Sequence, residues 1–299
     1  MSSFTAQELF NLQGAIALVT GGGTGIGLMA AKALASNGAK VYITGRRGQV
    51  LEQAIKAHGS GLKGSLHAIQ ADVTSKEDLT RAVSQISEGH LHVLVNNAGI
   101  VGPETKLGDN KEKMTAEEVS KAHLDNEDFQ KWDDLFRINT ASIFYSTMTF
   151  LPLLNAGNSK PPSGRNDKNW TSSVINITSM SGIVKLSQSH YAYNASKAAA
   201  NHLTLMLSHE LKFGSPNVNI RVNALAPGLF PSEMTSRGKA SVDGITDSSL
   251  LSGFINPAGR PGEAEEMASG ILFLSTNCFV TGQVLTIDGG FISSAPSTR

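Results

Sequence analysis

The sequence predicts an α/β fold: a doubly wound parallel sheet of about seven strands with helices on both faces. Short β-like runs alternate with longer helix-period segments from residue 15 nearly to the end of the 299 residues. Several of those runs are almost continuously apolar, as strands covered on both faces are. Neither an internal repeat nor a linker breaks the alternation, so the whole chain, 1–299, reads as a single domain joined by right-handed crossovers.

Strands are expected at 15–20 (AIALVT), 40–44 (KVYIT), 66–70 (LHAIQ), 91–95 (LHVLV), 174–178 (VINIT), 219–224 (NIRVNA) and 283–287 (QVLTI). Between them the apolar spacing predicts helices at 26–37, 48–58, 76–87, 128–154, 193–213 and 263–276. Two insertions interrupt this rhythm. Residues 103–126 are long and charged, and the Thr115 to Glu118 spacing matches a capping box, which predicts a short helix ahead of the long one. Residues 155–170 are rich in Pro, Gly, Ser and Asn and read as a surface loop. A third irregular stretch, 229–256, is too long for a simple connection and reads as a substrate lid.

Composition narrows the function. Lys plus Arg balance Asp plus Glu at 25 each, so no basic face for nucleic acid or an anionic membrane is expected. No apolar run reaches the roughly 18 residues of a membrane span, and the first residues lack the features of a signal peptide. Cys278 is the single cysteine, which rules out an intrachain disulfide and reads as a small buried hydrophobe. Together these point to a cytoplasmic protein. No metal site is expected, because His209 and Glu210 are followed by Phe213 where a metalloprotease motif would need a second histidine.

The first strand runs directly into TGGGTGIG at 20–27, and a helix follows. Glycines there let the backbone turn tightly and approach an anion, while free amides and the helix dipole face it. The spacing is G-x-x-x-G-x-G, at Gly21, Gly25 and Gly27, with Thr24 and Ile26 between them. This predicts a Rossmann-type nucleotide site. The second strand ends in Thr44, Gly45, Arg46 and Arg47, with no neighbouring acid to take the ribose hydroxyls. A guanidinium binds a 2′-phosphate bidentately, so NADP(H) is the expected cofactor; the other reading has one or both arginines simply in solvent.

Tyr193 and Lys197 are spaced i, i+4 at the start of a helix, so the phenol and the ammonium share a face. Ser179 follows the fifth strand, and Asn96, Asn97, Ala98 and Gly99 follow the fourth. Both sets fall at the carboxyl ends of strands, where open α/β sheets bind ligands.

These motifs, in this order, resemble the classical short-chain dehydrogenase/reductase family over roughly residues 10 to 292. The resemblance implies that Asp72 and Val73 contact the adenine, that Asn97, Ala98 and Gly99 follow the family's N-N-A-G, and that Pro227, Gly228 and Ser232 complete the cofactor site. It implies a catalytic set of Asn139, Ser179, Tyr193 and Lys197: tyrosine as acid in reduction and base in oxidation, lysine tuning it, serine binding the substrate oxygen, asparagine anchoring a proton-relay water. The serine-to-tyrosine gap is one residue longer than the commonest family spacing, so Ser181 stays open as a rival to Ser179. Tyr191 lacks a lysine four residues on and reads as a packing or pocket residue. The ammonium is expected to lower the Tyr193 pKa from its ordinary value of about 10.

Residues 218–234 further resemble the 3-oxoacyl-[acyl-carrier-protein] reductase branch, which includes enzymes of bacterial glycolipid and fungal secondary metabolism. That implies NADPH-dependent reduction of a small hydrophobic ketone, β-ketoacyl or polyketide-like, in a pocket drawing on Ile100, Met180, Ile183, Lys185, Leu186 and the lid. NAD-linked oxidation of a secondary alcohol or sugar is the alternative, and a non-catalytic nucleotide-binding scaffold is the third reading. The resemblance also implies a homo-oligomer, tetramer or dimer, packed through the long helices at 128–154 and 193–213.

Overall fold

The computed structural model describes residues 4–108, 110–163, 169–215, 217–235 and 256–295. After a short α1 (Ala6–Leu9), the elements follow as β1 (Ile16–Thr20), α2 (Gly25–Ser36), β2 (Lys40–Gly45), α3 (Gly48–His58), β3 (Ser65–Gln70), α4 (Lys76–Gln85) and β4 (Val93–Asn96). Next come α5 (Ala116–Asn126), α6 (Phe129–Phe136), α7 (Ser142–Asn158), β5 (Ser173–Ile177), α8 (Tyr191–His209), β6 (Arg221–Pro227), α9 (Ala264–Thr276), β7 (Val284–Ile287) and α10 (Phe291–Ser294). All seven strands lie in one parallel sheet of order β3-β2-β1-β4-β5-β6-β7. The order reverses between β1 and β4, and that switch point leaves a crevice at the strand ends.

Helices cover the sheet as the apolar strands demand. On one face Leu28 and Leu34 of α2, Leu51 of α3 and Met267 and Ile271 of α9 pack on Ala17, Val19, Val41 and Leu225. On the other, Leu79 of α4, Phe150 and Leu154 of α7 and Leu207 of α8 pack on Leu18, Leu94, Val174 and Val222. Adjacent strand residues such as Leu18 and Val19 thus serve opposite cores, the period-two alternation of a strand. Cys278 is half-buried against the first core.

Four expectations change in detail. The helix expected at 128–154 is divided: α6 ends at Phe136, a π turn spans Arg137–Ala141, and α7 then runs on to Asn158. Residues 155–158 are therefore helical rather than loop. Trp170, at the far end of that predicted loop, is 4 % exposed and belongs to the first core. The second long helix begins two residues early, at Tyr191, and ends in a π turn, Glu210–Gly214. In the 103–126 insertion the capping box forms as spaced, with Glu118 N donating to Thr115 Oγ1 at 3.2 Å and Thr115 N to Glu118 Oε2 at 2.8 Å. Of the predicted lid, residues 236–255 lie outside the described residues.

Candidate active site

A cleft of about 310 Å³ opens at the carboxyl ends of the strands, floored by the turns after β1, β2, β4, β5 and β6. The glycine turn forms its inner edge. Gly25 sits at φ +51, a left-handed conformation that glycine adopts without strain, and a Cβ there would press on Ser232 at 2.8 Å. At Gly27 a Cβ would stand 2.1 Å from the Gly21 carbonyl oxygen. Only hydrogen fits, and α2 can therefore start directly under the turn. Asn97 fixes this geometry from the turn after β4, its Nδ2 donating to Thr20 O at 2.9 Å and Gly21 O at 3.1 Å.

The remaining expected cofactor residues line the same cleft: Thr24, Ile26, Arg46, Arg47, Asp72, Val73, Ala98, Gly99, Pro227, Gly228 and Ser232. Both arginines are exposed at its rim. Asp72 is turned partly to its own loop, its Oδ1 accepting from Thr74 N at 2.9 Å and Thr74 Oγ1 at 2.8 Å. No neighbour of Arg46 or Arg47 in sequence is acidic, but the fold brings one: Arg47 Nη2 donates to Glu233 Oε2 at 2.7 Å. Sequence reasoning missed Glu233, because an acid in an irregular stretch has no definite partner until distant segments meet. Glycine amides at a helix start fit the pyrophosphate of a dinucleotide.

At the inner end the catalytic candidates converge. Ser179 caps the turn Met180–Gly182, its Oγ accepting from Ser181 N at 3.1 Å, and it lines the cleft beside Tyr193. Ser181 instead donates to Gln188 Oε1 at 2.7 Å, and it does not line the cleft. The geometry thus separates the two serines. Lys197 is buried beneath Tyr193, with Nζ 5.8 Å from the ring centroid and donating to Ile177 O at 3.0 Å.

Burial governs the ionisation of this pair. It pushes the Tyr193 phenol up from its ordinary value, against the opposing pull of the Ser179 hydrogen bond. The same burial lowers the Lys197 ammonium to about 8. The direction is opposite to the lowering expected from lysine: desolvation of the charged form outweighs the Ser179 contact. Tyr193 is therefore held in its protonated form.

Asn139 sits in the π turn and is 1 % exposed. Its Oδ1 accepts from Ile100 N at 2.9 Å while Nδ2 donates to Ile100 O at 2.9 Å and Ser196 Oγ at 3.1 Å. The amide thus ties the loop after β4 to the helix that carries Tyr193. Of the expected substrate-pocket residues, Ile100 lines the cleft, Met180 is buried, and Lys185 and Leu186 are exposed outside it. Tyr191 is 52 % exposed and meets the His123 ring edge-on at 5.3 Å, away from the cleft. Among the described residues no three His, Cys, Asp or Glu side chains are grouped to hold a metal, and no helix is long and apolar enough to cross a membrane.

Comparison with known proteins gives this geometry its family. The profile described as short chain dehydrogenase matches residues 15–242. The short-chain dehydrogenase/reductase PhomF of Diaporthe leptostromiformis is 38% identical over 300 residues, covering 99% of this chain and 97% of the relative. The rhamnolipids biosynthesis 3-oxoacyl-[acyl-carrier-protein] reductase of Pseudomonas aeruginosa is 35% identical, covering 94% and 98%. A solved structure described as the Pseudomonas aeruginosa RhlG/NADP active-site complex superposes with a TM-score of 0.72 at 33% identity, covering 95% of this chain and 98% of that one. The sheet order, the glycine turn and a match spanning three quarters of the chain lead to one conclusion: this protein is an oxidoreductase of the short-chain dehydrogenase/reductase family, which works with a nicotinamide cofactor.

Proposed function

We propose that the protein reduces a hydrophobic ketone, β-ketoacyl or polyketide-like, to a secondary alcohol with NADPH, using one catalytic domain that spans the chain. The observation that carries this reading is the arrangement along one cleft: Tyr193, Ser179 and Lys197 at the inner end, Arg46 and Arg47 at the rim. The glycine turn, Ser232 and the segment Asn97 to Gly99 would hold the nucleotide, with Arg46 and Arg47 taking its 2′-phosphate. Bound there, NADPH would supply the hydride that the carbonyl carbon receives.

The chain's own residues manage the charge that then develops on oxygen. Ser179 Oγ donates a hydrogen bond to that oxygen, and the Tyr193 hydroxyl delivers its proton to it. A phenol kept protonated by burial is suited to this direction, because the donor is loaded before the reaction starts. Lys197 stabilises the phenolate left behind and holds the nicotinamide ribose. Asn139 keeps the Ile100 loop against the tyrosine helix and would anchor a water that replaces the proton Lys197 passes to the phenolate, restoring the phenol. Homo-oligomer formation is part of the same reading, supported by apolar side chains left exposed on α7 and α8, namely Phe144, Tyr145, Leu205 and Met206.

Fluorescence titration with NADPH and NADH, in wild type and in Arg46→Ala with Arg47→Ala, tests the cofactor. NADPH should bind tighter, and the double substitution should weaken it about tenfold or more while leaving NADH little changed. Equal or tighter NADH binding would move the reading to oxidation of a secondary alcohol or sugar. With a hydrophobic ketone as substrate, Tyr193→Phe should cost about 10²–10⁴-fold in rate; an unimpaired variant would remove the tyrosine from the mechanism.

A further inference from the structure

Glu233 lies on the same rim as the arginines. Its Oε2 accepts from Arg47 Nη2 at 2.7 Å and from Thr24 Oγ1 at 3.2 Å. One carboxylate oxygen thus bridges the two walls of the cleft's outer end, the glycine turn and the segment after β2. It comes from far away in the chain, 186 residues from Arg47 and 209 from Thr24.

The residue is presented by a built turn. Ser232 N donates to Thr235 Oγ1 at 2.9 Å, Thr235 N donates to Ser232 Oγ at 3.2 Å, and Thr235 Oγ1 donates to Phe230 O at 2.8 Å. Phe230 itself is buried in the first core and fixes the turn to the body of the protein. The carboxylate therefore meets Arg47 through the fold, rather than through the chance swing of a loose chain.

We propose that Glu233 is a specificity-determining residue, whose carboxylate competes within the chain against the 2′-phosphate of NADPH for Arg47. A carboxylate and a phosphate offer a guanidinium the same ligand, anionic oxygens placed to accept from its planar fork of N–H groups. A 2′-phosphate arriving at this rim must displace Glu233 or share Arg47 with it, against the repulsion between two anions. NADH has only a hydroxyl at that position and leaves the Arg47–Glu233 pair undisturbed. Glu233 consequently weakens NADPH binding selectively and narrows the preference that the two arginines create. The pair is partly exposed, with side-chain exposures of 61% and 32%, so solvent screens it and the effect is modest.

The inference rests on the reading that Arg47 meets the 2′-phosphate, and the test separates the two. Dissociation constants for NADPH and NADH are measured by fluorescence in wild type, Glu233→Gln, Glu233→Ala, Arg47→Ala, and Glu233→Gln with Arg47→Ala. Glu233→Gln, which keeps an acceptor for Thr24 but no charge, should tighten NADPH about two- to fivefold and leave NADH unchanged. That gain should vanish in the Arg47→Ala background. If neither Glu233 variant tightens NADPH while Arg47→Ala weakens it, the competition is refuted and the cofactor reading stands. Equal gains for both nucleotides would also refute it, since a general repulsion of the pyrophosphate would then be the cause. If Arg47→Ala leaves NADPH binding untouched, both readings fall together.

Discussion

At Tyr193 and Lys197 one physical cause acts on two groups of opposite charge type. Burial disfavours whichever form is ionised, so it raises the phenol and lowers the ammonium. The proton of the phenol is secured, but the charge of Lys197 is not secure at alkaline pH. Below about 8 the lysine is an ammonium, and as pH rises through that value the cation that would stabilise the phenolate is lost. In the proposed mechanism kcat/KM for reduction, which reports the free enzyme, should therefore fall as pH rises from about 7 to 9. A profile that stays flat through pH 10 would mean that the ammonium has no part in the reaction. The identities of this pair were legible from their four-residue spacing. The direction of the phenol's shift was not, because spacing gives a neighbour's position but says nothing of how much water surrounds it.

Among the elements, the turn Met180–Gly182 shows how little room the site leaves. A Cβ on Gly182 would stand 2.6 Å from the backbone carbon of Lys197 and 2.7 Å from Ala198 N. Neither atom belongs to a flexible side chain, so Gly182→Ala must push the turn that carries Ser179 away from α8. Stability should drop by about 1–3 kcal/mol. A shift of near 1 Å at the reacting groups costs on the order of 10²-fold in rate. The expected outcome is a large loss in kcat with nucleotide binding nearly retained, checked by steady-state kinetics beside a fluorescence titration. Unchanged kcat would show that the turn yields without moving Ser179. The π turn Arg137–Ala141 is a comparable adjustment. Apolar spacing predicted one uninterrupted helix there, since a side chain pattern cannot register an extra backbone residue that tertiary bonds of Asn139 to Ile100 hold in place.

Across the whole molecule, the two cores are joined by buried polar fastenings as well as by apolar contact. Asn96 at the end of β4 donates to Asn176 Oδ1 on β5 at 2.9 Å and to Thr147 Oγ1 on α7 at 3.1 Å. Arg221 donates to the carbonyls of Leu274, Ser275 and Asn277, closing the last turn of α9 onto β6. His92 accepts from Ile16 N at 2.9 Å through Nδ1, and its Nε2 lies 2.6 Å from Lys160 O, so β1 is tied to the far end of the α7 connection by a neutral ring. Desolvation lowers its pKa from 6.5 to about 4. The unfolded chain then binds the proton more readily than the folded one between those values. The stabilisation is complete above about 6.5 and is lost as pH falls toward 4, amounting to about 3 kcal/mol. Urea unfolding followed from pH 8 to pH 4 should show this loss, and His92→Gln should flatten it. An equally steep dependence in the variant would assign the acid sensitivity to other groups.

Much of this protein is written locally. Apolar runs set the strands and the 3.6-residue period set the helices to within a few residues. The glycine turn, the i, i+4 pair and the basic end of β2 marked the cleft, because each depends on residues adjacent in the chain. Tertiary structure alone decided which serine faces Tyr193, that Trp170 is core rather than loop, that burial rather than lysine governs the phenol, and that Glu233 reaches Arg47. All four depend on groups brought together across long stretches of sequence, where packing and the exclusion of water, rather than local spacing, determine the partner.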